Sequence, residues 1–298
     1  MNNKLLYSLL LLVTTFFWGV TFPLIKVSLE YISPLPFLAF RFSVAAAILI
    51  PIVIRKKSDL IKKGNIIYGF WAGFYLMIGY VLQTIGLDYT SAAASGLITG
   101  LYVVMLPLLS IVYLKIRVGR VVVFSSILAF SGLIIMSVGS FSGRLAWVGD
   151  LLTFLCALAY AFQLAYLSKH SYKIDTYVFS FYQLLIVGIF SFALIPFMPD
   201  EIIRFNSIVI FSIVFTAIFA STLAIFIMTR ALSYVEPAFA GIIFVGEPIF
   251  AAISSVLFIG EKLSLYTITG GAIMVIAIFI VTGSKYITER HNQITPHS

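Results

Sequence analysis

The sequence predicts an all-α integral membrane protein with ten transmembrane helices, folded as two inverted five-helix repeats. Composition is the first observation behind this. Of 298 residues, 61% are hydrophobic and only 10% charged, whereas a soluble domain carries about 25% charged residues. The second is a set of ten apolar runs, each long enough to cross about 30 Å of hydrocarbon as a helix. The third is an internal repeat whose two copies carry opposite loop charges.

In chain order the runs are Leu5–Val27, Leu35–Ile54, Ile66–Leu87, Ala92–Leu114 and Val121–Val138, then Trp147–Leu167, Thr176–Phe197, Ser207–Thr229, Pro237–Phe258 and Leu265–Thr282. They are continuous rather than alternating, which argues for helices over a transmembrane barrel. The first run is too long for a signal h-region and continues through Trp18, Pro23 and Lys26 without a small-residue cleavage site. It reads as a retained helix. The single cysteine, Cys156, lies inside the sixth run, so no intrachain disulfide is expected. The polar segment 283–298 reads as a short disordered cytoplasmic tail.

The net charge of +8 is a topology signal rather than a sign of nucleic-acid binding. With a cytoplasmic N-terminus, fourteen Lys/Arg fall on the inner side, among them Arg55, Lys56, Lys57, Lys62, Lys63, Lys115, Arg117, Lys169 and Lys173. Only Arg144, Arg204 and Lys262 fall outside. This bias places both termini in the cytoplasm of a multi-pass cell-membrane protein.

Tyr89-Thr-Ser-Ala-Ala-Ala-Ser-Gly96 aligns with Tyr234-Val-Glu-Pro-Ala-Phe-Ala-Gly241 at an offset of 145. Trp18-Gly19 matches Tyr160-Ala161 at an offset of 142, and Ile50-Pro51 matches Ile195-Pro196. Five helices per half, an odd number, force the copies into opposite orientations. Corresponding loops then differ in basic content, as they do. The loop after the second helix holds five Lys/Arg and its counterpart one. Inverted repeats mark secondary transporters, with solute sites near the midplane where the repeats meet.

Trp18-Gly19, Arg41-Phe42, Leu87-Asp-Tyr-Thr-Ser-Ala92, Gly149-Asp150-Leu-Leu, Ala231-Leu-Ser-Tyr-Val-Glu-Pro237, Gly246-Glu-Pro-Ile-Phe-Ala251 and Gly260-Glu-Lys-Leu263 resemble the twin EamA repeats of the drug/metabolite transporter superfamily. The likeness runs from Leu5 to Thr282. It implies repeats at residues 5–138 and 147–282, and a cavity lined by helices one, three, four, six, eight and nine. Helices five and ten would form an outer scaffold or dimer contact, leaving the protein a monomer or homodimer. Two departures stand out: Lys115-Ile-Arg117 replaces a Gly-Glu-Arg turn, and Pro107 falls four residues later than Pro248 in the alignment. The latter predicts a break in helix four displaced by about one turn.

Glu247, followed by Pro248, sits mid-run in the ninth apolar segment. An intramembrane carboxylate there is costly unless it faces a bundle interior, a partner or a wet cavity. Three roles stand for it: receiving a solute ammonium, carrying a coupling proton, or pairing with Arg41. Asp150, near the start of the sixth helix, reads as a helix cap, with proton coupling as the alternative. Arg41 lies roughly 9 Å into the second helix. It reads either as an attractive gate for anionic or zwitterionic solutes or as a structural partner of Glu30 or a helix end. Lys26 is placed to snorkel. No histidine lies inside a predicted helix, so a histidine relay is not expected.

Polar and aromatic side chains recur at helical spacing around these charges. They are Trp18 and Thr21; Tyr80 and Gln83; Ser95, Thr99 and Tyr102; Tyr160, Gln163 and Tyr166; and Ser221 with Thr222. Each set reads as solute-binding or as close helix packing. A mainly neutral aromatic cavity suits an amino acid or related amphiphile. Phosphorylated solutes would require more facing Lys/Arg. No phosphate-binding loop, cofactor motif or metal cluster is present, which points away from ATP-driven transport. The expected partners are a small-molecule substrate and the lipid bilayer. The alternatives are a passive facilitator or channel and, further off, a membrane-embedded enzyme, for which no His/Asp/Glu constellation exists.

Overall fold

The structure, a computed structural model, describes residues 3–113, 119–140, 145–198, 201–232, 234–235, 240 and 243–294. Lys115, Arg117, Arg144, the Glu236-Pro237 pair and residues 295–298 lie outside the described residues, as does the side chain of Pro107.

The first half contains α1 (Asn3–Ser28), α2 (Pro34–Ile54), the single turn α3 (Lys57–Leu60) and α4 (Lys63–Tyr89). It continues with α5 (Ala92–Thr99), α6 (Tyr102–Tyr113) and α7 (Arg120–Ser140). The second half contains α8 (Ala146–His170), α9 (Thr176–Leu194) and α10 (Ser207–Phe215). A π-helical stretch, Thr216–Leu223, joins α10 to α11 (Ala224–Ala231). The last helices are α12 (Gly246–Ile259) and α13 (Leu265–Ile294). Among the described residues there is no strand, only an isolated bridge between Ile32 and Ile203 that ties two loops together.

Six helical stretches are long and apolar enough to cross a membrane, and four shorter apolar helices accompany them. The outer faces are themselves apolar, with Ile127 66% and Leu257 72% exposed. So much exposed hydrocarbon is stable only against lipid.

Three predicted features are corrected. Helix four is interrupted at Gly100–Leu101, ahead of Pro107, by i→i+3 bonds such as Leu101 N to Ile98 O (3.0 Å) and Val103 N to Gly100 O (3.2 Å). A tightened turn there satisfies the backbone without a proline. The ninth apolar run is not one unbroken helix: a turn at Val245 precedes Glu247 and Pro248. They occupy the first turn of α12, where a proline sacrifices no intrahelical bond. The polar tail is helical to Ile294, because neither glycine nor proline follows Gly283 until Pro296.

α4 packs on α8 and α9, α2 on α9, α1 on α12, α5 on α12, and α7 on α13. The α7–α13 crossing is close-packed through glycine. A Cβ on Gly132 would stand 2.7 Å from the Gly270 carbonyl oxygen, and one on Gly270 would meet the Gly132 carbonyl. Gly132→Val is therefore expected to lower stability by about 1–3 kcal/mol through overpacking, read as thermal unfolding in detergent. This crossing is remote from the cavity, so solute affinity is expected to stay the same.

At the basic end, Asp175 caps α9 by accepting from the Tyr177 and Val178 amides (3.0 and 3.4 Å), and it pairs with Lys56 at 2.6 Å. The Asp175 hydrogen bond raises Lys56 above the ordinary lysine value. The pair's contribution thus holds through neutral pH and is lost only as pH rises through that raised value. Asp175→Ala is expected to cost about 0.5–2 kcal/mol through the cap. Lys56→Gln is expected to leave thermal unfolding nearly unchanged, because exposed ion pairs contribute little.

Candidate functional site

A cavity lies where α1, α2, α4, α6, α8, α11 and α12 converge. Trp18, Thr21 and Phe22 enter it from α1, Arg41 from α2, and Leu76, Tyr80 and Gln83 from α4. Tyr102 comes from α6 and Tyr160, Gln163 and Leu164 from α8. Ile225, Met228, Phe244 and Glu247 complete the wall.

Two charges stand in this wall. Arg41 is 1% exposed, with its guanidinium 4.9 Å from the Tyr80 ring centre and 5.0 Å from that of Phe42. Its Nε donates to Ser221 Oγ at 2.8 Å. Glu247 is 5% exposed, and its Oε2 accepts from the Tyr102 hydroxyl at 3.1 Å. Among the described residues the only ion pair is Lys56–Asp175. Neither alternative pairing, Arg41 with Glu30 or Arg41 with Glu247, forms among the described residues; stacking and Ser221 hold the guanidinium.

A polar chain runs along the same cavity. The Tyr160 hydroxyl donates to Gln83 Oε1 (3.2 Å), and Gln83 Nε2 donates to Thr99 Oγ1 (3.2 Å). Gln163 is fixed by Gln183 at 2.9 Å. The Trp18 indole donates to the Ala220 carbonyl at 2.9 Å. That carbonyl belongs to the π-helical stretch, where widened backbone geometry offers groups to outside partners.

Nine of the fourteen expected solute-site residues line the cavity: Trp18, Thr21, Arg41, Tyr80, Gln83, Tyr102, Tyr160, Gln163 and Glu247. The other five do not. Thr99 and Ser221 stand behind Gln83 and Arg41 as hydrogen-bond partners. Thr222 donates to the Ala45 carbonyl of α2 at 3.0 Å. Ser95 faces Thr153 at 3.4 Å. Tyr166 points past the cavity to Tyr75 and His170. Helical spacing assigns a face, but each helix here touches several neighbours, and depth along the face decides which one a side chain meets.

Six apolar wall residues lie outside the expected set. Phe22, Leu76 and Leu164 sit one turn from Trp18, Tyr80 and Tyr160, so extending each polar face by one turn finds them. Ile225 and Met228 share a three-residue spacing, whereas Phe244 carries no sequence signal.

Three further expectations change. Asp150, 3% exposed and four residues into α8, caps no amide among the described residues; its Oδ1 accepts from the Thr90 hydroxyl at 2.7 Å. Lys26 does not snorkel freely, because its ammonium caps the end of α4 through the Leu87 and Asp88 carbonyls (2.7 and 2.9 Å). His170 does lie in a helix. It ends α8, buried between Tyr68 and Tyr166.

A transporter from Archaeoglobus fulgidus, described as uncharacterized, is 31% identical over 280 residues, covering 94% of this chain and 87% of its own. The uncharacterized transporter YvbV of Bacillus subtilis is 27% identical over 282 residues, with 93% and 92% covered. A solved crystal structure superposes with a TM-score of 0.69 at 16% identity, over 95% of this chain and 98% of the other, and so shares the fold. The EamA-like transporter family matches residues 5–138 and 147–283. With that match across nearly the whole chain, and a multi-pass helical fold enclosing a cavity, this protein belongs to the EamA-like transporter family.

Proposed function

We propose that this membrane transporter moves a small zwitterionic organic solute, an amino acid or close relative, out of the cell by alternating access and without ATP. One observation carries the reading. Arg41 and Glu247, of opposite charge and without ion-pair partners among the described residues, open on the same aromatic-walled cavity. A solute carboxylate would meet the guanidinium, and its ammonium would meet the carboxylate. Each charge gains a partner that the protein withholds. Aromatic faces would pack the remainder of the solute.

The ten-helix reading, with inverted repeats at 5–138 and 147–282, belongs to the same proposal. Its support is local. The helix-four interruption at Gly100–Leu101 and the α12 start after Val245 coincide under the 145-residue offset. Tyr102 and Glu247, 145 apart, are bonded to each other. Equivalent residues meeting this way is what a two-fold axis in the membrane plane produces. The fourteen-to-three charge bias supports both termini lying on the cytoplasmic side of the cell membrane.

The test is counterflow in proteoliposomes preloaded with unlabelled amino acids. Saturable uptake of labelled amino acid is expected, and flux rising linearly with concentration would favour a passive pore. Exchange of uncharged solutes but of no zwitterion would sink the proposal. For direction, overproducing cells are expected to release the solute to the medium, and cells lacking the protein to retain it.

A further inference from the structure

Asp150 and Glu247 are the buried carboxylates among the described residues, and the solute cavity takes up only Glu247. Asp150 Oδ1 accepts from Thr90, but Oδ2 is shut off from solvent and meets no hydrogen-bond partner among the described residues. An ionised oxygen left so inside an apolar bundle is costly unless something positive neutralises it.

The polar side chains at this crossing of α4, α5 and α8 are hydroxyls. Thr153 Oγ1 donates to the Gly149 carbonyl at 2.8 Å and lies 3.4 Å from Ser95 Oγ. The backbones are pressed together, since a Cβ on Gly149 would stand 2.6 Å from the Gly86 carbonyl oxygen. The charged groups around Lys26 at this end are Glu30, Asp88 and Glu261, and among the described residues no ion pair joins Asp150 to these or to Glu201, Arg204 or Lys262. The Lys26 ammonium is held by the Leu87 and Asp88 carbonyls, and Glu261 accepts from the Ala93 amide at 3.3 Å. What remains for Asp150 is an oxygen-rich, hydroxyl-lined position with one net negative charge, which suits a small monovalent cation.

The position is mechanically joined to the solute cavity. Ser95 and Thr99 are one turn apart on the short helix α5, and Thr99 reaches the cavity wall through Gln83 and Tyr160. We propose that Asp150 carries the coupling cation, a proton or a sodium ion, and that α5 transmits its arrival to the cavity. Glu247 then serves the solute and Asp150 the driving force. This inference rests on the transport reading above.

Proteoliposomes separate the two roles, because counterflow needs no net cation movement, whereas accumulation against a gradient does. Wild-type protein is expected to accumulate labelled amino acid under an imposed pH gradient or an imposed sodium gradient, and the gradient that works identifies the cation. Asp150→Asn is expected to keep counterflow and lose accumulation. Thr90→Val removes the hydroxyl that orients Asp150. It is expected to raise the half-saturating concentration of the driving cation about tenfold with counterflow kept. Accumulation by Asp150→Asn at the wild-type level overturns the inference, as does its loss of counterflow together with accumulation. An unshifted cation dependence in Thr90→Val, or wild-type counterflow with accumulation under neither gradient, overturns it as well. Absence of wild-type counterflow overturns the transport reading instead.

Discussion

Glu247→Gln is expected to raise the half-saturating concentration for amino-acid counterflow about 10- to 100-fold. A hydrogen bond to a charged group is worth about 1.5–3 kcal/mol, and 1.4 kcal/mol is about a factor of ten. Glutamine keeps an oxygen for the Tyr102 hydroxyl, so the 3.1 Å bond between α6 and α12 survives and the bundle is expected to stay folded. Only the negative charge goes. The loss is therefore expected to depend on the solute. Amino acids lose affinity, whereas analogues with a carboxylate and no ammonium do not. Equal affinity of both solute types in wild type and variant would remove Glu247 from the solute site. If Glu247 carried the coupling cation instead, the variant would keep its counterflow affinity and lose accumulation, the behaviour assigned above to Asp150.

The membrane class and helix positions were legible because hydrocarbon imposes a single constraint, a run of about 20 apolar residues whose backbone bonds close internally. α1, α2 and α9 start within two residues of the apolar runs that predict them. The backbone irregularities were not legible. Proline pointed to Pro107, but the interruption lies at Gly100–Leu101, where the i→i+3 turn needs no proline. The π-helical stretch Thr216–Leu223 has no proline or glycine to announce it. Its widening follows from tertiary partners: Trp18 on the Ala220 carbonyl, Arg41 on Ser221 and Thr222 on the Ala45 carbonyl. Such partners lie about 180–200 residues away in sequence.

For the candidate site, spacing on one helix located the cavity-facing side chains of α1, α4 and α8. It failed where a polar residue serves a neighbouring helix, as with Thr222, or stands behind a cavity residue, as with Thr99. Charge alone left Arg41 as either a solute gate or an ion-pair partner; in the structure it is held by two aromatic faces and a serine. A guanidinium stacked on aromatic rings is stabilised without being neutralised. It therefore keeps its capacity for an incoming carboxylate, which an internal ion pair would remove.

Arg41→Lys follows from that point and tests it. Lysine keeps the charge but loses the planar fork, the stacking on Phe42 and Tyr80, and the Nε bond to Ser221. Amino-acid counterflow is expected to weaken about 10- to 100-fold, because a point charge cannot replace a bidentate contact to a carboxylate worth about 1.5–3 kcal/mol. Stability is expected to fall as well, since each lost cation–π contact contributes about 0.5–2 kcal/mol. Ser221→Ala separates the two effects. It removes only the bond that aims the guanidinium, so half-saturation is expected to rise less than in Arg41→Lys with stacking intact. The decisive comparison is between solutes. If Arg41 holds the solute carboxylate, amino-acid amides lacking that carboxylate bind wild type and Arg41→Lys equally weakly. If Arg41 only supports the bundle, Arg41→Lys lowers thermal stability and leaves the amino-acid to amide preference unchanged.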